Sequence, residues 1–123
     1  MLKKTVTYED YNGNTVSEDL FFNINPVEMA RMNDMYPGGA IAYFENIQSS
    51  QDAIKMMEVI SDIVLYAYGV KSEDGKRFIK NKQIKEEFEQ SEAFVAIISD
   101  LLTSETAGVE FMTAVLPKKL VKR

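Results

Sequence analysis

Cysteine, histidine and tryptophan are all absent from this chain, and each absence removes chemistry. Without cysteine there is no disulfide framework, no thiolate nucleophile and no zinc–thiolate site, which fits a reducing compartment. Without histidine, the usual general base near neutral pH and the commonest transition-metal ligand are both missing. Long apolar runs are missing too. The longest uncharged apolar stretch, Ile63 to Val70, falls far short of a membrane span, and the start, Met1-Leu2-Lys3-Lys4-Thr5, has no apolar signal core. The expectation is a soluble protein, made and used in a cytoplasm, that does not enter a membrane.

What is present fits one compact α+β domain over residues 1–117 followed by a short basic flexible tail, 118–123. The 123 residues are 46% hydrophobic and 27% charged, enough for one core and too few for two. Fourteen Lys and Arg stand against nineteen Asp and Glu, for a formal charge of −5. Four of those cations, Lys118, Lys119, Lys122 and Arg123, lie in the tail, leaving ten against nineteen and a net charge of −9 on residues 1–117. Such a body repels phosphate backbones, so nucleic acid is not an expected partner.

Leu2 to Ile24 is rich in Thr, Val, Tyr and Phe and is broken by Asn12-Gly13-Asn14, which reads as a β-hairpin. A loop of those three residues would set Val6 opposite Leu20, Lys4 opposite Phe22 and Leu2 opposite Ile24. One face then carries Leu2, Val6, Tyr8, Val16, Leu20 and Phe22 and the other Thr5, Thr7, Glu9, Ser17 and Asp19, so the ribbon packs on helices. Asn25-Pro26-Val27-Glu28 is a capping-box helix start, with an end near Met35 before Tyr36-Pro37-Gly38-Gly39. Residues 40–48 are open between helix and strand. Ile41, Phe44 and Ile47 at helical spacing tilt the reading to helix.

Ser49-Ser50-Gln51-Asp52 begins the strongest helix, which is expected to reach Tyr68 with Gly69 as its C-cap. Gln51, Lys55, Glu58 and Asp62 form a narrow polar stripe on it, and most of the remaining circumference is apolar. Such a helix is central or lies at an interface. A short second hairpin near residues 70–79 turns at Asp74-Gly75, with Val70 opposite Ile79. After Asn81, Ile84 and Phe88 mark a charged helix. Ser91 caps another, with Phe94, Ile97, Ile98, Leu101 and Leu102 inward, and Ser104 caps a last one that presents Val109, Met112, Ala114, Val115 and Leu116 and stops at Pro117. The helical part, 25–117, thus holds about five helices.

None of the short motifs carries catalysis. Gly69 to Arg77 has the wrong spacing for a phosphate loop, and Arg77 stands where Ser or Thr would bind magnesium. Gly38-Gly39 lacks the rest of a dinucleotide fingerprint. Pairs such as Glu9/Asp10 and Glu86/Glu87 lie in strongly polar surroundings that read as solvated faces, and residues 72–74 lack the ligand alternation of a calcium loop. No catalytic residue, cofactor or metal is expected. Seven methionines suit either core gaps or an adaptable partner groove.

The opening Met-Leu-Lys-Lys-Thr-Val-Thr-Tyr with Asn12-Gly13, then Phe21-Phe22-Asn23-Ile24, the block from Tyr68 to Lys80 and the run Glu87 to Phe94 stand out together. In these segments the chain resembles the small tail assembly chaperones of siphophages and prophages of Gram-positive bacteria. The resemblance covers nearly the whole chain, and the Tyr68 to Lys80 block is its most specific part. It implies a non-enzymatic protein that keeps the tape measure protein soluble and helps tail-tube subunits gather around it. It also implies a host bacterial cytoplasm, absence from the mature virion and, in many relatives, a longer frameshifted form. Because large apolar helical faces suit a helical client, the candidate partner surface is Met56, Met57, Ile60, Ile63, Val64, Phe94, Ile98, Leu101, Phe111 and Met112, and a homo-oligomer is expected. One rival is a structural tail or head–tail joining component, which virions would contain in stoichiometric copies; the other, a small regulatory module that reads nucleic acid through its basic end, is opposed by the acidic body.

Overall fold

The computed structural model describes residues 1–104 and 106–117. Two strands, β1 (Leu2–Glu9) and β2 (Thr15–Phe22), lead into three helices, α1 (Pro26–Met35), α2 (Ala40–Ser50) and α3 (Ala53–Ala67). A short pair, β3 (Tyr68–Lys71) and β4 (Phe78–Ile79), precedes α4 (Lys82–Glu89), α5 (Glu92–Leu101) and α6 (Ala107–Val115). The class is α+β, as expected, with residues 40–50 helical. Six helices lie among the described residues rather than about five. The basic tail, 118–123, lies outside the described residues.

The hairpin forms where it was expected but in a different register. Leu2 pairs with Phe22, Val6 with Glu18 and Tyr8 with Val16, so each partner sits two positions earlier than a three-residue loop would set it. The cause is Asp10. Its carboxylate accepts from the Asn12 and Asn14 amides, both at 2.9 Å, while its own N–H donates to the Asn14 carbonyl at 2.8 Å. Asp10 therefore belongs to the loop, in an Asx-type turn with Gly13 at φ 82°. A shift of two leaves every side chain on its face, and Val6, Leu20 and Phe22 still point into the core.

A second difference lies at Gly69. It does not cap α3. Tyr68 ends the helix in extended backbone (φ −67°, ψ 141°), and the chain passes straight into β3. Gly69 is buried there because the Phe78 ring crosses it; a Cβ would meet Phe78 Cε2 at 2.6 Å. Val70 pairs with Ile79 as expected. β3 also pairs with β2, through Phe21 with Gly69 and Phe22 with Tyr68, to give a four-stranded antiparallel sheet in the order β1-β2-β3-β4.

One hydrophobic cluster joins the sheet to the helices. Phe22, fully buried, meets the rings of Tyr68 at 5.8 Å, Phe88 at 6.2 Å and Phe111 at 5.1 Å, and Tyr68 stacks on Phe88 at 3.8 Å. Backbone bonds close the same region: Asn23 N–H to the Ala67 carbonyl at 2.9 Å, and Ile24 N–H to the Val115 carbonyl at 3.0 Å. The capping box of α1 forms in both directions, Glu28 N–H to Asn25 Oδ1 at 2.8 Å and Asn25 N–H to Glu28 Oε1 at 3.0 Å. Asp52, Asn81 and Ser91 cap α3, α4 and α5. Ser104 accepts from Ala107 N–H at 3.1 Å, although Thr106 occupies the flanking position of α6.

Candidate partner-binding groove

The turn between α2 and α3 sets one wall of a groove. Gln51 adopts a left-handed conformation (φ 58°), Ser50 Oγ donates to the Ile47 carbonyl at 2.7 Å, and Asp52 accepts from Lys55 N–H at 3.1 Å. This reversal leaves the first turn of α3 uncovered on one side. The loop after α5 forms the facing wall, held by Leu102 N–H to the Ile98 carbonyl at 3.1 Å and Thr103 Oγ1 to the Asp100 carbonyl at 2.7 Å. Gly108 lets α6 close the floor. A Cβ there would meet Ile60 Cδ1 at 3.0 Å and Phe44 Cζ at 3.5 Å.

The groove holds about 790 Å³, with Phe44, Met56, Met57, Ile60, Leu101 and Leu102 supplying its apolar lining. Gln48, Gln51, Asp52, Thr103 and Ser104 are its polar contributors. Three of its apolar side chains are well exposed: Ile54 at 67%, Met57 at 43% and Leu102 at 42%. Apolar surface in contact with water is unfavourable by about 25 cal/mol per Å², which makes this lining a candidate surface for a partner.

The shifted ionisable groups lie in other clusters. Lys80 Nζ donates to Glu28 Oε2 at 2.8 Å, the Asn23 carbonyl at 2.7 Å and the Tyr66 carbonyl at 2.8 Å. Burial pushes its ammonium below the ordinary lysine value, and the Glu28 carboxylate opposes that shift. Tyr8 donates to Glu18 at 2.5 Å, and this bond, with burial, pushes its phenol up to about 12. Burial likewise raises Tyr36, Tyr66 and Tyr68. Among the described residues no cluster of three or more carboxylates is placed to hold a metal ion, and no helix is long and apolar enough to cross a membrane.

A family model described as phage tail assembly chaperone matches the chain from residue 1 to residue 123. The chain belongs to that family. No curated protein and no solved structure matches it.

On this chaperone the ten residues expected to form a partner surface separate into two sets. Met56, Met57, Ile60 and Leu101 line the groove, with Met57 exposed, Met56 half-buried and the other two at its floor. Ile63, Val64, Ile98, Phe111 and Met112 are buried in the core, and Phe94 is half-buried with its ring 5.5 Å from Phe88. The sequence reading missed Ile54, Phe44 and Gly108 and placed Leu102 inward. Ile54 lies in the first turn of α3, where helical periodicity cannot tell a covered end from an uncovered one. Leu102 follows the last residue of α5 and leaves its inward face.

Proposed function

We propose that this chaperone binds the tape measure protein of a siphophage or prophage of Gram-positive bacteria, keeps it soluble in the host cytoplasm, and helps tail-tube subunits gather on it. The protein acts by binding, without catalysis, and leaves before the virion is complete. Family membership over the full chain supports the reading, and the observation that carries it to a surface is the exposed apolar groove of α2, α3 and the α5–α6 loop. A client rich in apolar helical faces exchanges water for this lining, and adaptable Met56 and Met57 tolerate varied side chains.

Residues 1–117 are the binding domain in this proposal, and several copies act together, since repeated weak contacts along a long client gain from multivalency. A longer frameshifted form of the chain is a further expected partner. Co-expression tests the central claim. The tape measure protein is expected in the soluble fraction only when this chain is present, and equal insolubility with and without it would end the proposal.

A further inference from the structure

The elements that line the groove carry mostly negative charge. From Glu86 to Pro117, which covers α5 and α6, there is no Lys or Arg. Along α2 and α3 the single cation is Lys55, while exposed Glu58, Asp100 and Glu110 and the groove residue Asp52 supply negative charge. The cations of the body concentrate elsewhere, on β1 (Lys3, Lys4), the β3–β4 segment (Lys71, Lys76, Arg77) and the start of α4 (Lys82, Lys85).

This asymmetry bears on what covers the apolar lining. A second copy seated groove to groove would bring together two sets of mostly acidic elements, each with Asp52 in its lining, which like-charge repulsion disfavours. An extended peptide finds no free strand edge to join here, since among the described residues the lining comes from helices and their loops. A helix laid across the groove needs no backbone partner. It can place apolar side chains at i, i+3 or i+4, and i+7 into the lining and present cations to the rim.

We propose that the groove takes an amphipathic helix of the client, anchored by apolar side chains and flanked by Lys or Arg. The proposal rests on the client-binding reading above and adds the conformation and charge of the segment that the groove takes. The probe is a synthetic amphipathic peptide with Leu at i, i+3, i+4 and i+7 and Lys along its flanks, alongside the same peptide with Glu flanks. Binding to the full chain is read by fluorescence anisotropy. The Lys-flanked peptide is expected to bind about tenfold or more tightly than its Glu counterpart, with the difference shrinking as salt rises.

The double variant Ile54→Ser/Leu102→Ser removes exposed side chains that the core does not use. It is expected to keep the wild-type circular dichroism and to weaken the Lys-flanked peptide about tenfold. Asp100→Lys/Glu110→Lys is expected to narrow or reverse the charge preference. Equal binding of the two peptides, undiminished binding by the Ser variant, or loss of self-association in that variant would each overturn the groove assignment. Co-expression separates this failure from that of the function. If wild type and Ser variant solubilise the tape measure protein equally, the groove is wrong and the function stands; if wild type itself fails, the function falls and the peptide preference still decides the groove.

Discussion

Lys80 ties four parts of the chain through one nitrogen. It follows β4 directly and reaches Glu28 on α1, the Asn23 carbonyl after β2 and the Tyr66 carbonyl near the end of α3. With 20% of the Lys80 and 19% of the Glu28 side chain exposed, the pair is largely desolvated. Burial disfavours the ammonium, so the contact is better regarded as a specifying one than as a large net gain. Removing one partner is another matter. Lys80→Met is expected to cost about 2 kcal/mol in urea unfolding, because a half-buried carboxylate and two carbonyls lose their donor. Adding Glu28→Gln should recover part of that loss, since the amide keeps an acceptor for Asn25 N–H and carries no orphaned charge. A double variant no more stable than Lys80→Met would contradict this account. Sequence patterning does not disclose such a node, because Lys80 and Glu28 come together only after three helices have been placed.

At the scale of elements, the local signals were the legible ones. Asn25, Asp52, Asn81 and Ser91 each cap the helix they precede, and Asn12-Gly13 lies in the first hairpin's loop. What failed to show was anything set by distant residues. By its place in the sequence Asp10 reads as a strand residue, yet its carboxylate holds two loop amides. Gly69 stood where a C-cap glycine would stand, and only the approach of Phe78 explains its place in a strand. The α3–β3 junction therefore has a testable coupling. Gly69→Ala should destabilise by about 1–3 kcal/mol through overpacking. In a Phe78→Ala background the same change should cost less than about half as much, since the obstructing ring is gone. Equal costs in the two backgrounds would mean that strand backbone, and not the ring, demands glycine.

For the whole molecule, the apolar faces were legible as a class, but which of them stay open was not. Core and groove residues share α3, and only the positions of α2, α6 and the α5–α6 loop decide that Ile63 is enclosed while Ile54 is not. Alkaline stability is also a property of the assembled fold. The phenols of Tyr8, Tyr36, Tyr66 and Tyr68 are all raised above 10.0, Tyr8 to about 12. A raised phenol favours the folded state fully below its unfolded value, and that contribution is lost as pH climbs through the folded one. Lys80, lowered from 10.5, acts in the opposite sense, adding stability as pH rises towards that value. With these four phenols, and Tyr11 raised by its hydrogen bond with Glu92, against one ammonium, the urea midpoint is expected to fall steadily from pH 10 towards 12. A midpoint unchanged over that interval would rule out the phenol contribution.

The direct passage of α3 into β3 has a consequence for synthesis. β1 and β2 are neighbours in sequence and can zip together early, whereas β3 takes its place only after α1, α2 and α3 have been made. Until then the β2 edge that receives Tyr68 and Gly69 stands open beside Phe21 and Phe22, an invitation to pair with another nascent chain. A member of a chaperone family thus passes, while still emerging from the ribosome, through an interval in which its own unpaired strand edge is open to misassembly.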